Sequence, residues 1–140
     1  MRSAWLCAVV LPVFLVLGGV GCSSSRRYSE ADVKRAFRKQ GLDLRVGTVN
    51  GRELQKGGDV LLVPRSGASF WVGVVHSEKE ARSYYRTLVG QKAVGTFDCV
   101  RANVITGSDG GLLITQRRQL QMALEGLGPK PPHVRCVPSP

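Results

Sequence analysis

The hydrophobic pattern changes character along the chain. Residues 5–20 are apolar or small throughout, behind a single positive charge at Arg2, and Gly18, Gly19 and Gly21 cluster at the end of the run. A short charged start, an apolar middle and small residues before a break are the anatomy of a secretory signal, so residues 1–21 are set apart from the fold. Past Ser25 the pattern becomes periodic. Ser29 predicts a helix N-cap, Asp32 completes a capping box, and the helix runs to Gln40. Val33, Ala36 and Phe37 share one face at 3.6-residue spacing, and Lys34, Arg35, Arg38 and Lys39 take the opposite face. Gly41 supplies the stop.

Leu42, Leu44 and Val46 alternate loosely, which predicts a short strand within 42–49. Gly57-Gly58-Asp59 is a turn leading into a strand over 60–63; Pro64 to Gly67 turns the chain again. Phe70-Trp71-Val72-Gly73-Val74-Val75 is apolar throughout, which predicts a central strand paired with 60–63 in a hairpin. Ser77 and Glu80 make a second capping-box pattern. The helix after them carries Ala81, Tyr84, Tyr85 and Leu88 at the spacing of a buried stripe, with Lys79, Arg82 and Arg86 outside. A strand over 97–105, a loop at Gly107-Ser108-Asp109-Gly110-Gly111 and a brief strand over 112–114 follow. Thr115 caps a third helix with the stripe Leu120, Ala123, Leu124 and Leu127, closed by Gly128-Pro129. The order predicts one α+β domain over 29–140: a two-layer sandwich, its sheet mostly antiparallel with helices on one face, broadly ferredoxin-like. The strand 70–75, its helix and the strand 97–105 make a β-α-β unit, expected to cross over right-handedly.

Gly21-Cys22 followed by Ser23-Ser24-Ser25 resembles the lipobox of bacterial lipoproteins. In that family the cysteine receives a diacylglyceryl group on sulfur, cleavage leaves it as the first residue, and a serine-rich tether follows. The resemblance implies a lipid-anchored protein at the extracytoplasmic face of the cell membrane, with Cys22 as the lipid site and 22–28 as tether. Gly19 stands where lipoboxes favour leucine, so two alternatives stay open: release as a soluble secreted protein, or retention as an uncleaved anchor. The second would need about 20 apolar residues to span a bilayer, more than this segment has. Two lipid chains give stable attachment, at about 0.8 kcal/mol per buried methylene.

Export changes what the charge means. The chain has 20 Lys+Arg against 10 Asp+Glu, a net charge of +10. In the cytosol that would suggest nucleic acid. Outside the membrane it points instead to anionic lipid, a wall polymer or an acidic envelope protein. Lys34, Arg35, Arg38, Lys39, Lys79, Arg82 and Arg86 are the candidate basic surface. Of the four cysteines, Cys7 leaves with the signal and Cys22 is claimed by lipid. Cys99 and Cys136 remain, and in an oxidising compartment they are expected to pair. Closing that loop is worth about 4 kcal/mol by chain entropy.

Candidate catalytic chemistry is sparse. His76 and His133 stand far apart in sequence without an H-x-x-x-H or C-x-x-C pattern, so no metal site is expected. The glycines match neither G-x-x-x-x-G-K-[ST] nor G-x-G-x-x-G, so no phosphate cradle or cofactor is indicated. A Cys99 thiol nucleophile is the one enzymatic alternative, and neighbouring Asp98 disfavours it by raising a thiol pKa. His76 reads as a surface or capping residue, and Trp71, Tyr84 and Tyr85 as core. The stretch 70–88, strand then S-x-x-E-A helix, is similar to half of a SPOR domain, which implies peptidoglycan binding as an alternative. The whole also looks like the small lipoproteins of high-GC Gram-positive bacteria. The expectation is a non-enzymatic, membrane-anchored binding module at the cell envelope.

Overall fold

A computed structural model of the chain describes residues 27–91, 96–108, 110–128 and 132–138. The expected signal segment and the expected lipid site, Cys22, lie outside the described residues, as does the expected tether up to residue 26. Helix α1 (Glu30–Lys39) forms where the 3.6-residue stripe placed it. Its capping box is closed in both directions. The Ser29 Oγ accepts from the Asp32 N–H at 3.2 Å, and the Asp32 carboxylate accepts from the Ser29 N–H at 3.1 Å. The Ser29 hydroxyl also donates to that carboxylate at 2.8 Å, and this bond, with the one from the Ser29 N–H and the charge of Arg35, holds the Asp32 carboxyl below the usual carboxylate range. Gly41 takes φ +76 and lets Leu42 N–H reach back to the Phe37 carbonyl, which ends the helix.

The predicted strand over 42–49 is split. Strand β1 (Leu44–Val46) joins the main sheet. The chain then leaves it for a separate hairpin of β2 (Thr48–Val49) and β3 (Arg52–Glu53). Asn50 and Gly51 turn that hairpin with φ of 50 and 75, the two positive values a tight two-residue turn demands. Strand β4 (Gln55–Lys56) returns to the sheet and pairs with β5 (Asp59–Pro64). Strands β5 and β6 (Phe70–Val74) form the expected antiparallel hairpin, with Leu62 opposite Val72.

Helix α2 (Glu78–Gly90) follows β6. The strand predicted over 97–105 is in fact two, β7 (Phe97–Arg101) and β8 (Val104–Ser108), paired antiparallel around Ala102-Asn103. Ala102 carries the positive φ of 50 that makes the reversal. Helix α3 (Ile114–Glu125) starts one residue before Thr115, and Leu113 is its N-cap, so the brief strand over 112–114 does not form. The Gln116 side chain, not Thr115, accepts from the Leu113 N–H at 2.9 Å. Strand β9 (Arg135–Pro138) comes from the proline-rich tail and pairs with β7.

The sheet order is β1-β5-β6-β8-β7-β9, with β4 beside β5 and every pairing antiparallel. Because β6 and β7 both run antiparallel to β8, they are parallel to each other across it. The α+β class and the antiparallel sheet stand as expected. The helices, however, divide between the two faces. Val33 and Phe37 of α1 and Leu120, Ala123 and Leu124 of α3 pack with Val72, Val74 and Val104 in the main core. Ala81 and Tyr85 of α2 pack with Val75 and Val100 on the opposite side. The cause is in the strands: β7 and β8 are buried at every position, so both faces of the sheet need a cover.

Candidate functional site

Arg82 and Arg86 stand one turn apart on α2, spaced to project on the same side of the helix. There they face the chain leading into β9. A cleft of about 360 Å³ opens between these elements, lined by Arg82, Tyr85, Arg86, Arg101, His133 and Arg135 among others. Glu78 is a carboxylate in its lining, and it is already paired with Arg82 four residues on. Lys79, Arg86 and Arg135 form no ion pair among the described residues. The cleft is therefore cationic, with guanidinium groups suited to bidentate recognition of phosphate or carboxylate.

Two titratable groups stand at this place, the half-buried Tyr85 of the lining and the buried Asp98 near it. Burial holds the Asp98 carboxyl above the usual carboxylate range, against hydrogen bonds from the Thr96 side chain and the Ser108 backbone. Burial and then the nearby Asp98 charge raise the Tyr85 phenol, while Arg135 pulls it back. Tyr85 therefore stays protonated at neutral pH and offers the cleft a hydroxyl donor.

Arg101 anchors the wall. Its guanidinium is buried, donating to the Leu124 and Glu125 carbonyls at 2.6 and 2.7 Å, to Pro132 at 3.0 Å, and to Gly128. Leu124, Glu125 and Gly128 place these carbonyls at the C-terminal end of α3, the negative end of the helix dipole, which favours a cation there. The same guanidinium lies 5.9 Å over the Tyr28 ring, where the chain enters the domain. One clue to Arg101 lay in plain view: it is the one basic residue in the run 97–105.

The seven sequence-predicted basic residues are not one patch. Lys34, Arg35, Arg38 and Lys39 lie on α1, and Lys79, Arg82 and Arg86 on α2, across the sheet from them. The α1 cations are largely matched already: Lys34 to Glu30 at 2.5 Å, Arg35 to Asp32 at 3.6 Å and Arg38 to Asp43 at 3.5 Å. The tertiary fold adds Arg135 and His133 to the α2 group. Neither was singled out as basic surface, because both belong to a tail without a periodic pattern.

Cys99 and Cys136 face each other across β7 and β9 and are joined by a disulfide. Cys99 is fully buried, so it presents no thiol for nucleophilic chemistry. Of the aromatic residues read as core, Tyr84 is exposed and Trp71 and Tyr85 are only part-buried. Trp71 lies across Gly107, where an added Cβ would stand 2.3 Å from the indole Cζ2. Among the described residues no helix is long and apolar enough to cross a membrane. No family model matches this chain, and no curated protein or solved structure matches it significantly.

Proposed function

We propose that this chain is a lipid-anchored, extracytoplasmic binding module whose basic cleft takes phosphate-bearing anions at the envelope, the headgroups of anionic lipids first among them. The observation that carries the reading is where the cleft lies. Arg101 lines it and also covers the ring of Tyr28, so the cleft shares an end of the domain with the incoming chain. With Cys22 lipidated, six peptide units separate the anchor from Tyr28, a reach of about 20 Å at most. The cationic end would then stand close to headgroups, at distances where each arginine contributes about 1 kcal/mol toward an anionic surface. The cross-strand disulfide fits an oxidising compartment. With Cys99 bonded and buried, binding is favoured over thiol catalysis.

The test is co-sedimentation of the domain starting at Ser23, without its lipid, with phosphatidylglycerol-containing vesicles. Reversing Arg82 and Arg86 to glutamate should weaken binding at least tenfold at low salt, since two reversals remove more than 1.4 kcal/mol. Reversing Arg35 and Arg38 on the opposite face should change it less than threefold. Equal loss from both pairs, or no binding by the unaltered domain, defeats the proposal. Retention on purified cell wall but not on vesicles would replace the lipid with a wall polymer.

A further inference from the structure

We propose that Asp59, His76 and Glu80 form a binding site for a divalent transition-metal ion of the zinc class. The three come from different elements. Asp59 opens β5, His76 follows β6, and Glu80 lies in the first turn of α2. The register Val60 opposite Val74 brings Asp59 beside the residues leaving β6, and its carboxylate accepts from the His76 N–H at 2.8 Å. That bond fixes the backbone of the histidine against the carboxylate that would share its ion.

The donor atoms converge. The His76 Nδ1 is 3.3 Å from the Asp59 Oδ1 and 2.6 Å from the Glu80 Oε2, and all three donors lie within 4.8 Å of one another. Zinc bonds to nitrogen and oxygen of about 2.0–2.1 Å put tetrahedral ligands about 3.3 Å apart. The first separation already has that value, and the second reaches it by a small rotation of the Glu80 side chain. One imidazole and two carboxylates suit zinc and its neighbours in the transition series, whereas calcium wants about six to eight oxygens. His76 is 56% exposed, which leaves a coordination position open to water.

Glu80 supplies a separate observation. The S-x-x-E pattern called for its carboxylate to turn back onto the Ser77 N–H. Only half of that box forms: the Ser77 Oγ accepts from the Glu80 N–H at 3.2 Å, and the carboxylate turns to His76 instead. Among the described residues its Oε2 is buried with no directed hydrogen bond, only the His76 Nδ1 facing it at 2.6 Å. A buried carboxylate oxygen without a hydrogen is one that a cation satisfies. The half-charge of the α2 N-terminus opposes an ion here, but two full carboxylate charges outweigh it.

The experiment is a zinc titration by calorimetry of the untagged full-length protein in detergent, with calcium as control. One zinc per chain is expected, calcium binding at least tenfold more weakly. His76→Gln and Glu80→Gln should each lower zinc affinity at least tenfold, and His133→Gln less than twofold. Zinc-edge X-ray absorption of the unaltered protein should show one imidazole, oxygen ligands and no sulfur, a readout that does not depend on the variants folding. Absence of saturable binding, unchanged affinity in His76→Gln, or a spectrum with sulfur or no imidazole overturns the site.

Discussion

Gly107 shows how much a single position can decide. It sits in β8 opposite Trp71 of β6, and the indole occupies the space its side chain would need. Gly107→Ala puts a methyl 2.3 Å from the ring, so the indole must leave. The expected cost is about 1–3 kcal/mol, the range for overpacking, with a shift in Trp71 fluorescence. Urea unfolding of the domain starting at Ser23 checks it, and an unchanged midpoint would show that the ring does not rest there. In the sequence Gly107 reads as the start of a glycine-rich loop, because nothing local reveals a tryptophan lying over it. Arg101 is the parallel case. Its composition signal was present, but its partners are carbonyls 23 to 31 residues away, beyond any local pattern.

At the scale of elements, the reversal between β7 and β8 was the largest surprise. Ala102 is a poor turn residue, so the run 97–105 reads as one strand. The turn is held by its neighbour. Asn103 is buried; its amide donates to the Val75 and Tyr28 carbonyls at 2.9 and 3.0 Å, and its oxygen accepts from the Tyr28 N–H at 2.6 Å. Asn103→Ala leaves those three backbone groups unpaired inside the protein and should cost about 3 kcal/mol or more. Amide exchange should report it first at Tyr28, whose N–H loses its acceptor. Protection there equal to the unaltered protein would refute the role given to Asn103. By contrast, α1 was legible to within one residue, expected to Gln40 and ending at Lys39, since its cap, stripe and stop all lie within 13 consecutive positions.

At the scale of the molecule, the disulfide ties the edge strand β9 to the sheet. It closes a separation of 37 residues and brings Arg135 to the cleft. Cys136→Ser removes the constraint on the unfolded chain and should lower stability by about 4 kcal/mol. The strand carrying Arg135 should loosen at the same time, so vesicle binding is expected to fall with it. Chemical unfolding and the co-sedimentation assay together check this. A variant as stable as the parent would mean that β9 is held by its backbone pairing alone.

What the sequence determined by itself was whatever depends on neighbours along the chain. The periods of α1 and α2, the β5–β6 hairpin and the α+β class all rest on residues within a few turns of one another. The pairing of Cys99 with Cys136 was expected from the sequence and is present in the fold. Only the tertiary structure decided which faces the helices cover and which charges share a surface. Seven basic residues that looked like one patch are divided by a sheet buried on both sides. Arg135 and His133 from the tail and two carboxylates around His76 gained company that no spacing could announce. Side chains meet in a site through strand register and layer, and those are set by the burial of the whole core.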